Sequence, residues 1–343
     1  MGLDVAAIRR EFPILERTDH GRRLVYLDTA ATAQKPLAVI EAMDHYYRHL
    51  NANVHRGVYT LAEEATSAFE AGRAATARFI GAGDPHELVL TRNATESINL
   101  VARTWGRANL AEGDVVVVTE MEHHANIVPW QMLAAERGIE LRWIPITADY
   151  RLDLSCIDEL LDGASLLAFT AMSNVLGTIN DIPALVAAAR AAGARILVDG
   201  CQSVPHLPTD VQAWDADFVA FSAHKMLGPS GLGGLWARRE LLEAMPPFLG
   251  GGEMIRDVRL DGFTTNDVPW KFEAGTGAIV EATGAAAAGD YLDGLGMTAV
   301  REHEVTLTRY ALDALAAEFG DSITVYGPAD PHQRGGAVSF LLG

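Results

Sequence analysis

"DFVAFSAHKMLGPSGLGG" (217–234) decides how this chain folds. Asp217 to Phe221 form a short apolar run with no helical period, as expected of a strand covered on both faces. The run ends in Ser222 and Ala223 and breaks into His224-Lys225 and a series of Gly, Pro and Ser, residues that end regular structure. A solvated lysine needs no such setting. A lysine at the end of a buried strand, among residues that let the backbone pass close to a ligand, is placed to react. Upstream, "RILVDGCQSVPH" (195–206) repeats the pattern, with Asp199 closing the strand.

Outward from this pair, apolar runs recur at 87–91, 115–119, 141–146, 165–170 and 233–237. Helical periods lie between most of them, at 95–107, 126–138 and 182–192, with further helices at 36–50 and 61–80. The 17 residues between the two quoted strands read as loop. Such alternation predicts an α/β fold with a mostly parallel central sheet and helices on both faces. After residue 295 a helix (298–319), "ITVYG" and "GGAVSFLLG" suggest the first elements of a small α+β unit, ending on a strand with nothing to pair with and hence an aggregation-prone edge. The expected division is an N-terminal segment (1–20) packing with that unit, a large ligand-binding domain (21–295) and an incomplete C-terminal domain (296–343).

A formal net charge of −18 disfavours nucleic acid and anionic membranes as partners. No apolar run reaches the ~20 residues of a membrane span. The N-terminus has no apolar signal region. Two cysteines without C-x-x-C spacing suggest neither a disulfide framework nor a zinc site, and fit a reducing cytoplasm. His123 and His124 are adjacent and lack a third ligand at metal-binding spacing, so no metal is expected.

Ligands of open α/β sheets lie beyond the carboxyl ends of the strands. There the chain places Thr95 opening a helix, His123, Asn174, Asp199 with Gln202, and Ser222, His224 and Lys225. A helix N-terminus offers free N–H groups to a phosphate, although Thr95 alone reads equally well as a plain helix cap. Asp199 alone reads as a strand-end cap, and Lys225 alone as a surface lysine beside a turn. Together, a phosphate cradle, a buried aspartate, an imidazole and a shielded lysine meet the requirements of pyridoxal 5'-phosphate. The lysine binds the cofactor covalently, burial favours its neutral amine, and the aspartate keeps the pyridine nitrogen protonated.

"VDGCQSVPH" followed by "FSAHKMLGPSGLG" resembles the class V aminotransferase family of the fold type I pyridoxal-phosphate enzymes. The chain is most similar to SufS/CsdA-type (group II) cysteine desulfurases, through "YLDTAATAQKP" (26–36), "NVHRGVYTLAEEAT" (53–66), "NATESINLVA" (93–102), "EMEHHANIVPWQ" (120–131), "SNVLGT" (173–178) and "FEAGT" (272–276). The resemblance implies that Lys225 holds the cofactor and shuttles the substrate Cα proton. It implies that His123 stacks on the ring and acts in acid–base steps, that Asp199 meets the ring nitrogen and that Gln202 meets the ring oxygen. Thr95, Ser222 and His224 would hold the phosphate, with Thr276 reaching in from the partner of a homodimer. Asn174 would lie by the substrate carboxylate, and His55 and Arg56 at the mouth of the site. The implied reaction converts L-cysteine to L-alanine and passes sulfur, through an enzyme persulfide, to an acceptor of the SufE/SufU kind for iron–sulfur cluster assembly.

Three departures stand out. Ala94 occupies a position where relatives often have threonine, and Gly277-Ala278 replaces a usual Pro-Asn. The family's persulfide-forming cysteine and carboxylate-clamping arginine belong to a C-terminal region that this chain does not reach, which suggests a truncated protein. Cys201 reads as a small buried residue where relatives have alanine, and Cys156 lies near a helix start. The alternatives are another class V enzyme (a selenocysteine or cystine lyase, an epimerase, a kynureninase-like hydrolase) or an inactive fragment.

Overall fold

The computed structural model describes residues 2–343. The apolar runs become the seven-stranded sheet of β1 (Leu88–Thr91), β2 (Val115–Thr119), β3 (Glu140–Ile144), β4 (Ala164–Thr170), β5 (Arg195–Asp199), β6 (Phe218–Ser222) and β7 (Gly233–Ala237). Their spatial order is β1-β7-β6-β5-β4-β2-β3. Strands β2 to β6 pair in parallel, while β7 runs antiparallel to both β6 and β1. The expected class, mostly parallel with helices on both faces, is the one observed.

Successive residues of each central strand enter opposite cores, which is why the runs are apolar throughout. Leu167, Phe169, Val198, Val219 and Phe221 join one core, covered by α2 (Thr60–Phe79) and α5 (Ile182–Ala191). Leu166, Ala168, Leu197, Phe218 and Ala220 join the other, covered by α3 (Ala94–Val101) and α4 (Val128–Arg137). Continuing that alternation, Thr170, Asp199 and Ser222 fall at the carboxyl ends of β4, β5 and β6 on the α3 face. The segment between β5 and β6 contains turns and no helix, as read from the sequence.

Helix α3 packs unusually close to the sheet. A Cβ on Gly233 of β7 would lie 2.5 Å from Asn93 Cα and 2.7 Å from the Phe221 carbonyl. Only glycine admits the helix N-terminus there. Beyond Val101 the helix continues through a π-helical turn at residues 102–106.

Of two further helices, α1 (Leu37–His49) and α6 (Ile279–Leu295), α6 packs against both α1 and α2. The hairpin β8 (Ile255–Arg259) and β9 (Gly262–Thr265) exposes Val258, Leu260 and Phe263. After α7 (Met297–Phe319), β10 (Ile323–Tyr326) pairs antiparallel with β11 (Ser339–Leu342), Thr324 opposite Leu341. The expectation of an unpaired last strand was wrong. The intervening segment folds back, with Gly335 N–H donating to the Gly177 carbonyl (2.8 Å) and Ile179 N–H to that of Gln333 (3.0 Å). β11 nevertheless exposes Phe340, Leu341 and Leu342. No helix among the described residues is long and apolar enough to cross a membrane.

Candidate active site

A cavity of about 530 Å³ opens at the carboxyl ends of β4, β5 and β6, against the N-terminus of α3. Thr95, His123, Asn174, Asp199, Gln202, Ser222, His224 and Lys225 all line it, so eight of the residues singled out from sequence meet in one place.

Each is held by its own element. Asn93 caps α3, its Oδ1 accepting from Glu96 N–H (3.0 Å). The cap is therefore Asn93, and Thr95 stands in the first turn, facing the cavity. Ser222 Oγ accepts from Ala94 N–H (2.9 Å), which ties the helix start to the end of β6 and leaves the Ser222 hydroxyl proton to donate. Helix start, Thr95 and Ser222 together form an anion cradle.

Asp199 is 2% exposed. Its Oδ1 accepts from Cys201 N–H (2.9 Å), and it has no ion-pair partner among the described residues. A buried carboxylate without a cation is costly, and a protonated ring nitrogen in the cavity would meet it. Gln202 donates from Nε2 to the Ala30 carbonyl (2.8 Å), which anchors the 28–33 loop and leaves the second N–H of that amide for a ligand oxygen.

His123 Nδ1 accepts from Ala125 N–H (3.1 Å). Burial, aided by the charge of Lys225 and by His124 and opposed by Asp199, holds its pKa below the usual histidine range. Burial and the charges of Lys225 and Lys35 likewise lower that of His224, whose Nδ1 lies 3.2 Å from Thr32 Oγ1. In both, the shift favours the neutral imidazole. Lys225 Nζ makes no hydrogen bond or ion pair among the described residues. The expectation that this lysine is sealed from water is not met, because it is partly exposed within the cavity.

Three predicted residues lie elsewhere. His55 Nε2 bonds Glu70 Oε1 (2.9 Å), Arg56 pairs with Glu253 (2.9 Å), and Thr276 lines a separate cavity with Phe69 and Glu273. Within one chain the structure does not bring them to the Lys225 cavity. Sequence reasoning also passed over Lys35 and Glu122. Lys35 donates to the His224 carbonyl (3.1 Å), and burial pushes its pKa down to about 8. Burial pushes Glu122 up to about 8, against hydrogen bonds from Thr119, Asn126 and Thr170. Both stand in stretches quoted above, but their partners are remote in sequence. Among the described residues no cluster of three His, Cys, Asp or Glu is placed to hold a metal.

The model of the aminotransferase class-V family matches residues 25–343. The chain belongs to that family. Among its curated relatives, a cysteine desulfurase of Klebsiella pneumoniae is 52% identical, covering 100% of this chain and 84% of the relative. A probable cysteine desulfurase of Streptomyces coelicolor is 50% identical, covering 99% and 82%. Among solved structures, a cysteine desulfurase of Thermococcus onnurineus superposes with a TM-score of 0.93 at 37% identity, covering 100% of this chain and 84% of that one. The Escherichia coli cysteine desulfurase CsdA does so with 0.90 at 39%, covering 99% and 83%.

Pyridoxal phosphate is the cofactor of this class V family, and the residues present fit it. The orphaned buried carboxylate, the unpartnered amine of Lys225 and the cradle at the start of α3 match its ring nitrogen, aldehyde and phosphate.

Proposed function

We propose that this class V enzyme removes sulfur from L-cysteine with pyridoxal phosphate and leaves L-alanine. The observation that carries the reading is the meeting of Lys225, Asp199, His123 and the Thr95–Ser222 cradle on one cavity. The identity of about 50% to curated cysteine desulfurases supports the substrate.

When bound, the cofactor supplies an electron sink for the bonds at the substrate Cα. Lys225 would hold it covalently, and its amine would serve to move the Cα proton. Asp199 would keep the ring nitrogen charged. Thr95, Ser222 and His224 would hold the phosphate, and Gln202 would donate to the ring oxygen. His123, on the wall of the cavity, would lie against the ring and give or take a proton. Asn174 would meet the substrate carboxylate.

Desulfuration needs a thiolate. An S–S bond forms as the Cβ–S bond breaks, and the carbon keeps the electron pair and takes a proton. Neither cysteine of this chain suits that step, so the attacking thiolate is that of a separate thiol, the acceptor's cysteine or a thiol added to the assay. Burial and the Asp199 carboxylate push the Cys201 thiol well above its ordinary pKa, and Cys156 is exposed outside the cavity.

The reading extends to a homodimer in which Thr276, His55 and Arg56 serve the neighbouring protomer, and to delivery of the persulfide sulfur to a SufE/SufU-like acceptor for iron–sulfur cluster assembly in the cytoplasm. Within each chain, residues 21–295 bind the cofactor and 296–343 begin a smaller unit against which 1–20 pack. To test the reading, the chain is loaded with pyridoxal phosphate and treated with L-cysteine while visible absorbance and alanine are followed. The absorbance should shift on cysteine addition, and Lys225→Ala should abolish the bound-cofactor band. A band indifferent to Lys225→Ala would exclude this assignment.

A further inference from the structure

Glu122 is a buried carboxyl to which the reaction above gives no part. It is 8% exposed and lies beneath the turn that carries His123. Three donors converge on it. Thr119 Oγ1 (2.6 Å) and Thr170 N–H (2.8 Å) reach Oε1, and Asn126 Nδ2 (2.7 Å) reaches Oε2. Thr119 and Thr170 end two neighbouring strands, β2 and β4, so the carboxyl pins the turn to the sheet. Asn126 cannot rotate freely, because its Oδ1 accepts from Trp130 Nε1 (3.1 Å). Its own N–H donates to the His123 carbonyl (2.8 Å), which closes the turn.

The turn has one consequence for the ring. Ala125 N–H, fixed between His123 and Asn126, donates to His123 Nδ1 (3.1 Å). A nitrogen that accepts carries no proton, so the neutral ring holds its proton on Nε2. Protonating Nδ1 would set two donors face to face. We propose that Glu122 is a positioning residue that holds His123 in the Nε2–H form, acting through Asn126 and the Ala125 amide. Gln cannot replace it. A carboxyl that carries a proton can donate it to Thr119 Oγ1 and still accept from Thr170 N–H through the same oxygen, but an amide nitrogen accepts nothing: it would turn an N–H toward either the Thr170 N–H or Asn126 Nδ2, and flipping Asn126 would oppose its amide to Trp130 Nε1.

The proposal rests on the reading of His123 as part of the cofactor site, but it is testable apart from that reading. Long-range proton–nitrogen spectra of protein labelled with 15N-histidine report tautomer and protonation directly, with His123→Gln assigning the signal. The groups facing His123 are Asp199, Lys225, His124 and, below the turn, Glu122. Wild type should show the Nε2–H tautomer. Glu122→Gln should populate the Nδ1–H tautomer and raise the pH at which His123 protonates. In the loaded enzyme its kcat should fall about tenfold or more, with little change in KM. Should Glu122→Gln not fold, Thr119→Val, which removes one donor and keeps the carboxyl, should shift the ring in the same direction by less. A His123 spectrum identical to wild type in a folded variant overturns the proposal, even where activity falls. If the wild-type chain takes up no pyridoxal phosphate, the reading of the cavity fails, and the same spectra of the cofactor-free protein still decide the role of Glu122.

Discussion

Arg73 and Asp199 are both charged and both buried, and the chain treats them in opposite ways. Arg73, fully buried in α2, has a partner on each of its three nitrogens. It bonds both oxygens of Glu273 (2.6 and 2.8 Å), Glu70 Oε2 (2.9 Å) and the Leu88 carbonyl (3.0 Å). Glu70 in turn accepts from His55 and Trp270 (2.9 and 3.0 Å), and Glu273 from Leu90 N–H (2.7 Å). Asp199 has one backbone N–H and no cation. The first arrangement is complete within the protein and serves its stability. The second is complete only with a ligand. At Asp199 it is the missing cation together with the place on the cavity, rather than burial alone, that marks the functional site.

The contrast breaks most readily at Arg73. Arg73→Met should cost about 3–5 kcal/mol of stability in urea unfolding, because two carboxylates lose their shared cation. A cost below about 1 kcal/mol would remove the distinction drawn here. Asp199→Ala should do the reverse, with cofactor-free stability within about 1 kcal/mol of wild type and desulfuration down by roughly 10²–10³-fold. If both variants lose stability equally, Asp199 is structural.

Acid sharpens the comparison by a smaller amount. Burial raises the Glu70 carboxyl, but hydrogen bonds from His55, Arg73 and Trp270 and the Arg73 charge outweigh it and hold the pKa at about 2, against an ordinary 4.5. Its folded value lies below its unfolded one. The stability it contributes is therefore present above about pH 4.5 and lost as pH falls toward about 2. Stability measured across that window should fall in wild type and be flatter in Arg73→Met. The smallest effect belongs to Cys201→Ala, with turnover within about twofold of wild type, because the raised thiol pKa leaves no thiolate to attack. A large loss of alanine formation would instead make Cys201 the sulfur acceptor.

The sheet and most of the cavity were legible because strands covered on both faces write themselves as unbroken apolar runs. The residue closing each run then stands at a strand end. Asp199, Ser222 and Lys225 could be found in this way. Four features escaped. Asn93, not Thr95, caps α3, since a cap depends on backbone angles that both residue types permit. Lys35 meets His224 from 189 residues away in the sequence, and nothing local in "AQKP" announces it. The pairing of β10 with β11 depends on the chain between them folding back onto residues 177–179. Glu122 was visible as a letter beside His123, but only the ends of two other elements show what it holds.

The clearance at Gly233 makes the cradle a matter of distance as well as of chemistry. The atoms that a side chain there would strike are backbone on both sides, Asn93 and Phe221, and neither can turn aside. A methyl group at 233, which does not itself line the cavity, would lever the start of α3 off the sheet and stretch the Ala94–Ser222 link. Cofactor retention could then be graded by the size of a residue that no bound molecule touches.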